Sequence, residues 1–150
     1  MNSFKSQSRP EIYLGKIEYK EKISLFEKLS ADEKVVIKML PTLLIHKETN
    51  VISLNIICLF YLIKENKEIS KPFDLTVFFK VKDITSIFQF TEKEISLSQP
   101  ESIFKIIDIS IGTLRGILYE QIKNKYDQEF IFPPIHIKEF MKELKLQIIS

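Results

Sequence analysis

The sequence predicts an α+β fold in a single domain, in which a strand-rich first half is followed by a helical second half. Phe occurs 12 times in the 150 residues, whereas Gly occurs only three times, and aromatic and β-branched side chains fit the pleated surface of a sheet. Apolar residues alternate with polar ones up to residue 82, and after residue 98 they recur at helical spacing. A chain of this length folds without a disulfide or metal.

Four strands are predicted, and the short connections between the last three favour a four-stranded antiparallel sheet built as a meander. They cover residues 12–19, 35–45, 51–63 and 73–81. Gly15 interrupts the apolar spacing of the first strand, which indicates a bulged edge strand. Pro41 restricts the second strand to a sheet edge or a bulge. The second half of the third strand is apolar on both faces, so we expect both faces to be covered there.

Two further segments of the first half are irregular. Residues 1–11 are predicted to be a flexible N-terminal arm, so that residues 12–150 form the single domain. Between the first two strands, the apolar residues from Ile23 to Leu29 fit either a short helix or a loop that lays its side chains on a neighbour. Periodicity leaves both interpretations open.

The helical half begins with a predicted capping box. In it, the Ser98 hydroxyl accepts from the Glu101 amide and the Glu101 carboxylate reaches back to the Ser98 amide, while Pro100 suits the first turn. This long helix is expected to continue to about Lys123. After the prolines at 133 and 134, a short C-terminal helix begins at about Ile137. Its apolar face is predicted to carry Ile137, Phe140, Met141, Leu144 and Ile148.

The long helix has a wider apolar stripe than one sheet face requires. Gly112 and Gly116 lie four residues apart on one of its faces, and each costs about 1 kcal/mol relative to Ala in a helix interior. Such glycines are best tolerated where another backbone approaches closely. We therefore predict a homodimer or homotetramer with this helix as its interface, formed by Ile107, Ile111, Gly112, Leu114, Gly116 and Leu118.

Two stretches of the second half carry a resemblance to a known family. FKIIDISIGTLRGIL (residues 104–118) and FPPIHIKEF (residues 132–140) are similar to the C-terminal half of the SecB-like protein-export chaperones. In that family, a long helix leads through a short loop to an apolar-Pro-apolar-Asn segment that starts the last helix. With the preceding strands, which match in order and length, the resemblance covers about residues 12–146.

The resemblance implies both helices on one face of the sheet, assembly as a dimer of dimers, and holdase activity. Such a chaperone binds unfolded or extended polypeptides through apolar grooves and often delivers them to the export motor. The family's client groove lies between the crossover after the first strand and the last helix. It maps here to Leu25, Phe26, Leu29, Phe140, Met141 and Leu144, which are equally expected as ordinary core residues.

The chain departs from the family in two respects. His136 stands where the family usually has Asn, so the cap of the last helix differs. Family members are strongly acidic, and their motor contact depends on carboxylates on the exposed sheet face. This chain has a formal net charge of +2, and Lys38, Lys80 and Lys82 are expected on that face. The alternative function is therefore a non-enzymatic adaptor or antitoxin-like module that binds one dedicated protein partner.

Catalytic, metal and cofactor sites are not indicated by the sequence. Cys58 is the only cysteine, which excludes an intramolecular disulfide and multi-cysteine zinc sites. His46 and His136 have no second His or Cys at ligand spacing, and the isolated glycines exclude a phosphate-binding loop. We therefore predict no catalytic residue, no metal and no cofactor. A cryptic enzyme is the third functional class, after the holdase and the dedicated adaptor.

Charge and hydropathy exclude two further partners. The chain has 22 Lys and Arg against 20 Asp and Glu, whereas dedicated nucleic-acid binders carry a strong basic excess. No apolar run approaches the roughly 18 residues of a membrane span, and the first residues lack the apolar core of a signal peptide. The sequence therefore predicts a cytoplasmic protein that binds no nucleic acid and does not insert into membranes.

Overall fold

A computed structural model describes residues 11–30, 32–62 and 67–149 of the chain. These residues have an α+β architecture with a curled mixed sheet, one long helix and one short helix. The predicted N-terminal arm falls almost entirely on residues 1–10, outside the described residues. The α+β class is therefore confirmed, whereas the prediction for the arm stays a prediction.

The regular elements follow one another in the predicted order, with additions in the second half. The helices are α1 (Pro100–Leu118), which continues into a π-helical turn at Tyr119–Asn124, and α2 (Ile137–Glu143). A 3-10 turn lies at Ile84–Ser86. The strands are β1 (Ile12–Tyr19), β2 (Val35–His46), β3 (Val51–Leu62), β4 (Phe73–Val81), β5 (Phe88–Phe90), β6 (Ile95–Leu97), β7 (Phe130–Ile131) and β8 (Lys145–Ile149).

The predicted four-stranded antiparallel meander needs two corrections. Only β2, β3 and β4 form a meander, because β1 pairs with β4 and the order across the sheet is β1-β4-β3-β2. Residues 20–34 must therefore cross to the opposite edge of the sheet. In addition, β7 and β8 both pair in parallel with the outer edge of β2. Parallel pairing needs a long connection, and the chain through α1 provides it.

Two local predictions for the strands are confirmed. The register between β1 and β4 shifts around Gly15, where an added Cβ would lie 3.2 Å from the carbonyl oxygen of Phe78. On the outer edge of β2, β7 pairs with residues 35–36 and β8 with residues 42–46. Pro41 lies in the gap between them, where its missing N–H leaves no ladder hydrogen bond unmade.

The core lies between α1 and one face of the sheet. Alternate residues of β3 and β4, such as Ile56, Phe60 and Val77, are fully buried, and α1 contacts both strands. The opposite residues of β3, including Ile57, Leu59 and Tyr61, are only half-buried. The expectation that both faces are covered is therefore only partly met, because this second face keeps some solvent exposure.

The start of α1 differs from the predicted capping box. The N-cap is Gln99, without a side-chain capping bond, and the Ser98 amide instead donates to the Ile87 carbonyl oxygen at 2.7 Å. Because the Ser98 amide already donates to Ile87, it is not available to donate to the Glu101 carboxylate, as a capping box requires. A contact distant in sequence has replaced a local one.

The last helix begins at Ile137 as predicted and ends earlier than its apolar pattern indicates. Leu144 is its C-cap, with extended backbone dihedrals, and Ile148 lies in β8, opposite Ile45 of β2. Both were predicted on the helical face. The free edge of β2 supplies hydrogen-bond partners for residues 145–149, and this tertiary pairing overrides helical periodicity over so short a segment.

Candidate functional site

The crossover between β1 and β2 is a loop rather than a helix. Residues 20–30 and 32–34 contain no helix or strand, and Leu25 forms a single antiparallel bridge with Ser70. Leu25 and Leu29 are half-buried against the core, whereas Phe26 is 61% exposed. Of the two interpretations left open by the sequence, the loop that lays apolar side chains on a neighbour is the correct one.

We call residues 24–29 the strap. Its middle pairs with residues 67–70: the Phe26 amide donates to the Ile69 carbonyl oxygen at 2.8 Å, and the Lys67 ammonium lies 2.9 Å from the Glu27 carboxylate. Residues 67–70 in turn pair with the end of β3, since the Ile69 amide donates to the Phe60 carbonyl oxygen at 3.0 Å. The strap is thus the outermost segment of a small antiparallel extension.

Two buried glutamines hold the ends of the crossover. The Ile23 amide donates to Oε1 of Gln121 at 2.6 Å, and Nε2 of Gln128 donates to the carbonyl oxygens of Ser30 and Glu33. Both glutamine side chains are almost fully buried, where an unmade hydrogen bond is costly. The sequence analysis missed both residues, although Gln121 continues the buried stripe of α1 and a polar residue in such a stripe signals a partner.

A cavity of about 400 Å³ lies beside the strap. It is formed between residues 20–26 of the crossover and residues 70–74 at the start of β4. Phe26 lies at its rim and Phe73, which is buried, belongs to its wall. This side of the predicted groove therefore contains both an exposed aromatic ring and space beside it.

The other three predicted groove residues lie elsewhere. Phe140 is 6% exposed and Leu144 is also buried, while Met141 is half-buried against the core. Phe140 lines a second cavity of about 300 Å³, between residues 133–143 and the unpaired stretch of the β2 edge. Neither cavity is lined by residues from both sides. The structure thus places the two halves of the predicted groove at separate cavities, and the groove stays a prediction.

The predicted oligomer interface divides between two faces of α1. Ile107, Ile111, Leu114 and Leu118 are buried within this chain and are not exposed to a second copy, whereas the interface itself stays a prediction. Gly112 and Gly116 are exposed, and apart from the adjoining residues and the backbone of α1 itself, no described atom lies within 4 Å of a Cβ built on either. Only the two glycines remain available to a second copy.

β1 presents a second surface that the sequence analysis did not single out. Among the described strands it pairs only with β4, so its outer edge has no strand partner within the described residues. Four of its apolar side chains, Tyr13, Leu14, Ile17 and Tyr19, are 41% to 58% exposed. A free strand edge with apolar side chains is a template for pairing with another chain.

The side chains that the sequence offered for catalysis or metal binding differ in exposure. Cys58 is fully buried, and burial, assisted by the Asp74 carboxylate, raises the pKa of its thiol to about 12. The thiol therefore stays protonated and inert at neutral pH. Nε2 of His46 lies 3.2 Å from Oγ of the fully buried Ser53, and this contact joins the β2–β3 hairpin. His136 is exposed at the start of α2.

The described residues hold neither a cluster of metal-ligating side chains nor a membrane-spanning helix. Within residues 11–30, 32–62 and 67–149, no three His, Cys, Asp or Glu side chains come together as metal ligands. None of the helices in these ranges has the length and apolar character needed to cross a membrane.

Comparison with protein-family models, with curated proteins and with solved structures finds no match to this chain. The functional argument therefore depends on the residues and on the geometry described above.

Proposed function

We propose that the chain is a SecB-like holdase, a chaperone that binds unfolded or extended polypeptides through apolar surface. The observation that carries the proposal is the strap, where the exposed Phe26 ring stands at the rim of a cavity of about 400 Å³. A large aromatic ring on an irregular segment can adapt to many sequences. The resemblance of residues 104–118 and 132–140 to the SecB-like chaperones supports the same function.

Apolar burial supplies the affinity in this proposal. Each Å² of apolar surface removed from water contributes about 25 cal/mol, and this contribution does not depend on the order of the client residues. Extended clients also need backbone hydrogen bonds, which free sheet edges provide. Such edges exist at β1 and at residues 37–41 of β2. The binding surface thus combines apolar contact with sequence-independent pairing.

Assembly into a homodimer or homotetramer belongs to the proposal. The exposed Gly112 and Gly116 allow a second backbone to approach α1 closely. The free β1 edge adds apolar side chains that a second copy can cover. An assembly would bring several straps together, and a long unfolded client could then contact more than one of them.

A dedicated adaptor is the second candidate, and the sheet surface favours it. Lys38, Lys80 and Lys82 are exposed, and the Lys38 ammonium lies 4.6 Å from the centre of the Tyr61 ring. These cations stand where a motor contact of the family type needs carboxylates. The charge of this surface therefore does not support binding of the export motor. In the adaptor interpretation, a single dedicated protein partner takes the place of the motor.

Binding of an unfolded chain tests the holdase proposal. A reduced, carboxymethylated protein that cannot refold is labelled with a fluorophore and titrated, and anisotropy gives the Kd. We expect micromolar binding, no binding of the same protein in its native form, and a Kd within about tenfold for a second unfolded protein of unrelated sequence. If neither unfolded chain binds, the holdase proposal is wrong and the adaptor remains.

A further inference from the structure

The strap has the features of an extended client bound to its own chain. Leu25 lies opposite Ser70 in an antiparallel bridge, and the next residue, Phe26, donates its amide hydrogen to the Ile69 carbonyl oxygen at 2.8 Å. The strap is neither helix nor strand, and it carries the apolar residues Leu25, Phe26 and Leu29. It therefore pairs through the backbone and through apolar side chains, as an unfolded polypeptide would.

We propose that the strap is an internal competitor that occupies, in the free protein, the pairing position beside Ile69 and Ser70 that an extended apolar client segment takes. Clients then bind by displacing the strap backbone from Ile69 and Ser70, while the exposed Phe26 ring, kept nearby by the anchored ends of the crossover, packs against the bound client. This inference rests on the proposed holdase function and adds a means of regulating it: the affinity for clients is set by how readily the strap leaves.

Displacement uncovers a suitable surface. Ile69 and Ser70, which pair with the strap, are each 1% exposed while it is in place. When it leaves, the Ile69 carbonyl oxygen loses a donor that the backbone of an extended client can replace. The client also covers the exposed side chains with its own apolar groups. Because the number of hydrogen bonds changes little in this exchange, its free energy depends mainly on the apolar content of the client.

The contacts of the strap are of a kind that a client can replace. Its half-buried apolar side chains, Leu25 and Leu29, pack against the core, and an apolar client offers the same burial. Its polar contacts include the Phe26 hydrogen bond and the ion pair between Glu27 and Lys67, whose side chains are both more than half exposed. Exposed ion pairs contribute little to stability. The Phe26 ring gains little from the closed position because it is mostly exposed already.

The ends of the crossover keep the displacement local. Gln121 holds the amide of the buried Ile23, and Gln128 holds the carbonyl oxygens of Ser30 and Glu33. The six residues between these anchors span roughly 20 Å when extended. The strap can thus swing away from residues 67–70 without drawing Ile23 out of the core.

A reversible disulfide between the strap and its partner tests the proposal. The backbone hydrogen bond joins the next residues along, Phe26 and Ile69, so Leu25 and Ser70 form a non-hydrogen-bonded antiparallel pair. The Cα atoms of such a pair are about 4.5 Å apart, a separation that a disulfide can span. The native Cys58 is buried and will not interfere. In the double variant L25C and S70C, we expect the oxidised form to bind the carboxymethylated client at least about tenfold more weakly than the reduced form.

A second disulfide variant controls for oxidation itself. Val51 and Lys80 are directly opposed in the β3–β4 pair, and the Val81 amide donates to the Asn50 carbonyl oxygen, so they are also a non-hydrogen-bonded pair. The variant V51C and K80C is expected to bind the client equally in both redox states. If oxidised L25C/S70C also binds as well as its reduced form, the strap does not compete with the client and the inference is overturned. If the wild-type protein binds no client, the holdase proposal itself fails.

Amide hydrogen exchange supplies a measurement without substitutions. On saturation of the wild-type protein with the carboxymethylated client, the Phe26 amide should exchange at least about tenfold faster, because it loses its acceptor. The Ile23 amide, held by Gln121, should keep its protection. Unchanged or slower exchange at Phe26 contradicts displacement, because the client then binds with the strap closed.

Discussion

Replacing Phe140 with Ala is expected to lower the free energy of unfolding by about 3–5 kcal/mol, the usual cost of truncating a core Phe. Phe140 belongs to the core cluster and is 6% exposed, so its removal leaves a cavity between α2 and β2. Replacing Phe26 with Ala should change stability by less than about 0.5 kcal/mol, because 61% of Phe26 is already exposed. Urea unfolding followed by circular dichroism measures both values.

Client binding separates the same two variants. Phe26→Ala should weaken binding of the carboxymethylated client about fivefold or more, because it removes an exposed apolar ring without disturbing the fold. Phe140→Ala, studied well below its unfolding midpoint, should bind the client as the parent does. The opposite result, a stable Phe140→Ala protein that has lost client binding, would return Phe140 to the predicted groove and contradict its placement in the core.

Replacing Gly116 with Leu is expected to dissociate the assembly while the chain stays folded. Gly116 is exposed, and a Cβ built on it contacts nothing within 4 Å beyond the adjoining residues and the backbone of α1, so the added side chain can extend into solvent. It should even stabilise the isolated chain, because Leu is a better helix former than Gly by about 0.8 kcal/mol. Between copies, however, the bulk prevents the close approach that Gly112 and Gly116 permit. Multi-angle light scattering should report a mass falling to 17.7 kDa.

The matched control is Gly116→Ala, which improves helix propensity with little added bulk and should retain the assembly. Two outcomes oppose the prediction. A wild-type mass of 17.7 kDa at micromolar concentration means that no assembly forms. If the Gly116→Leu protein keeps its multimeric mass, the interface lies elsewhere, and the free β1 edge becomes the surface to vary next.

The strands were predictable because their signals are local. Runs of apolar residues, mostly alternating with polar ones and separated by polar segments, predicted the bounds of β1 to β4 to within about a residue. Gly15 and Pro41 marked a bulge and an unpaired edge, since each has a backbone property that suits only such positions. The start of α2 after two prolines followed from the same kind of local restriction.

Features that depend on distant contacts were not predictable. Ile107 and Leu114 share an apolar stripe with the residues around them, and periodicity cannot tell a core contact from a contact between copies. Ile148 fits the face of a helix as well as an edge strand, and only the free edge of β2 decided the outcome. Gln121 gave a weak signal, because its partner amide lies 98 residues away.

The most direct test of the central claim is the light scattered by an aggregation-prone test protein when it is diluted from denaturant with and without this chain. The account predicts that scattering falls as the chain is added and is suppressed near equimolar concentration. The Phe26→Ala variant should be needed at a several-fold higher concentration than the wild-type chain for the same reduction in scattering. An equal mass of an unrelated globular protein should leave the scattering unchanged. Undiminished scattering in a molar excess of the folded wild-type chain would contradict the claim that it holds unfolded polypeptides.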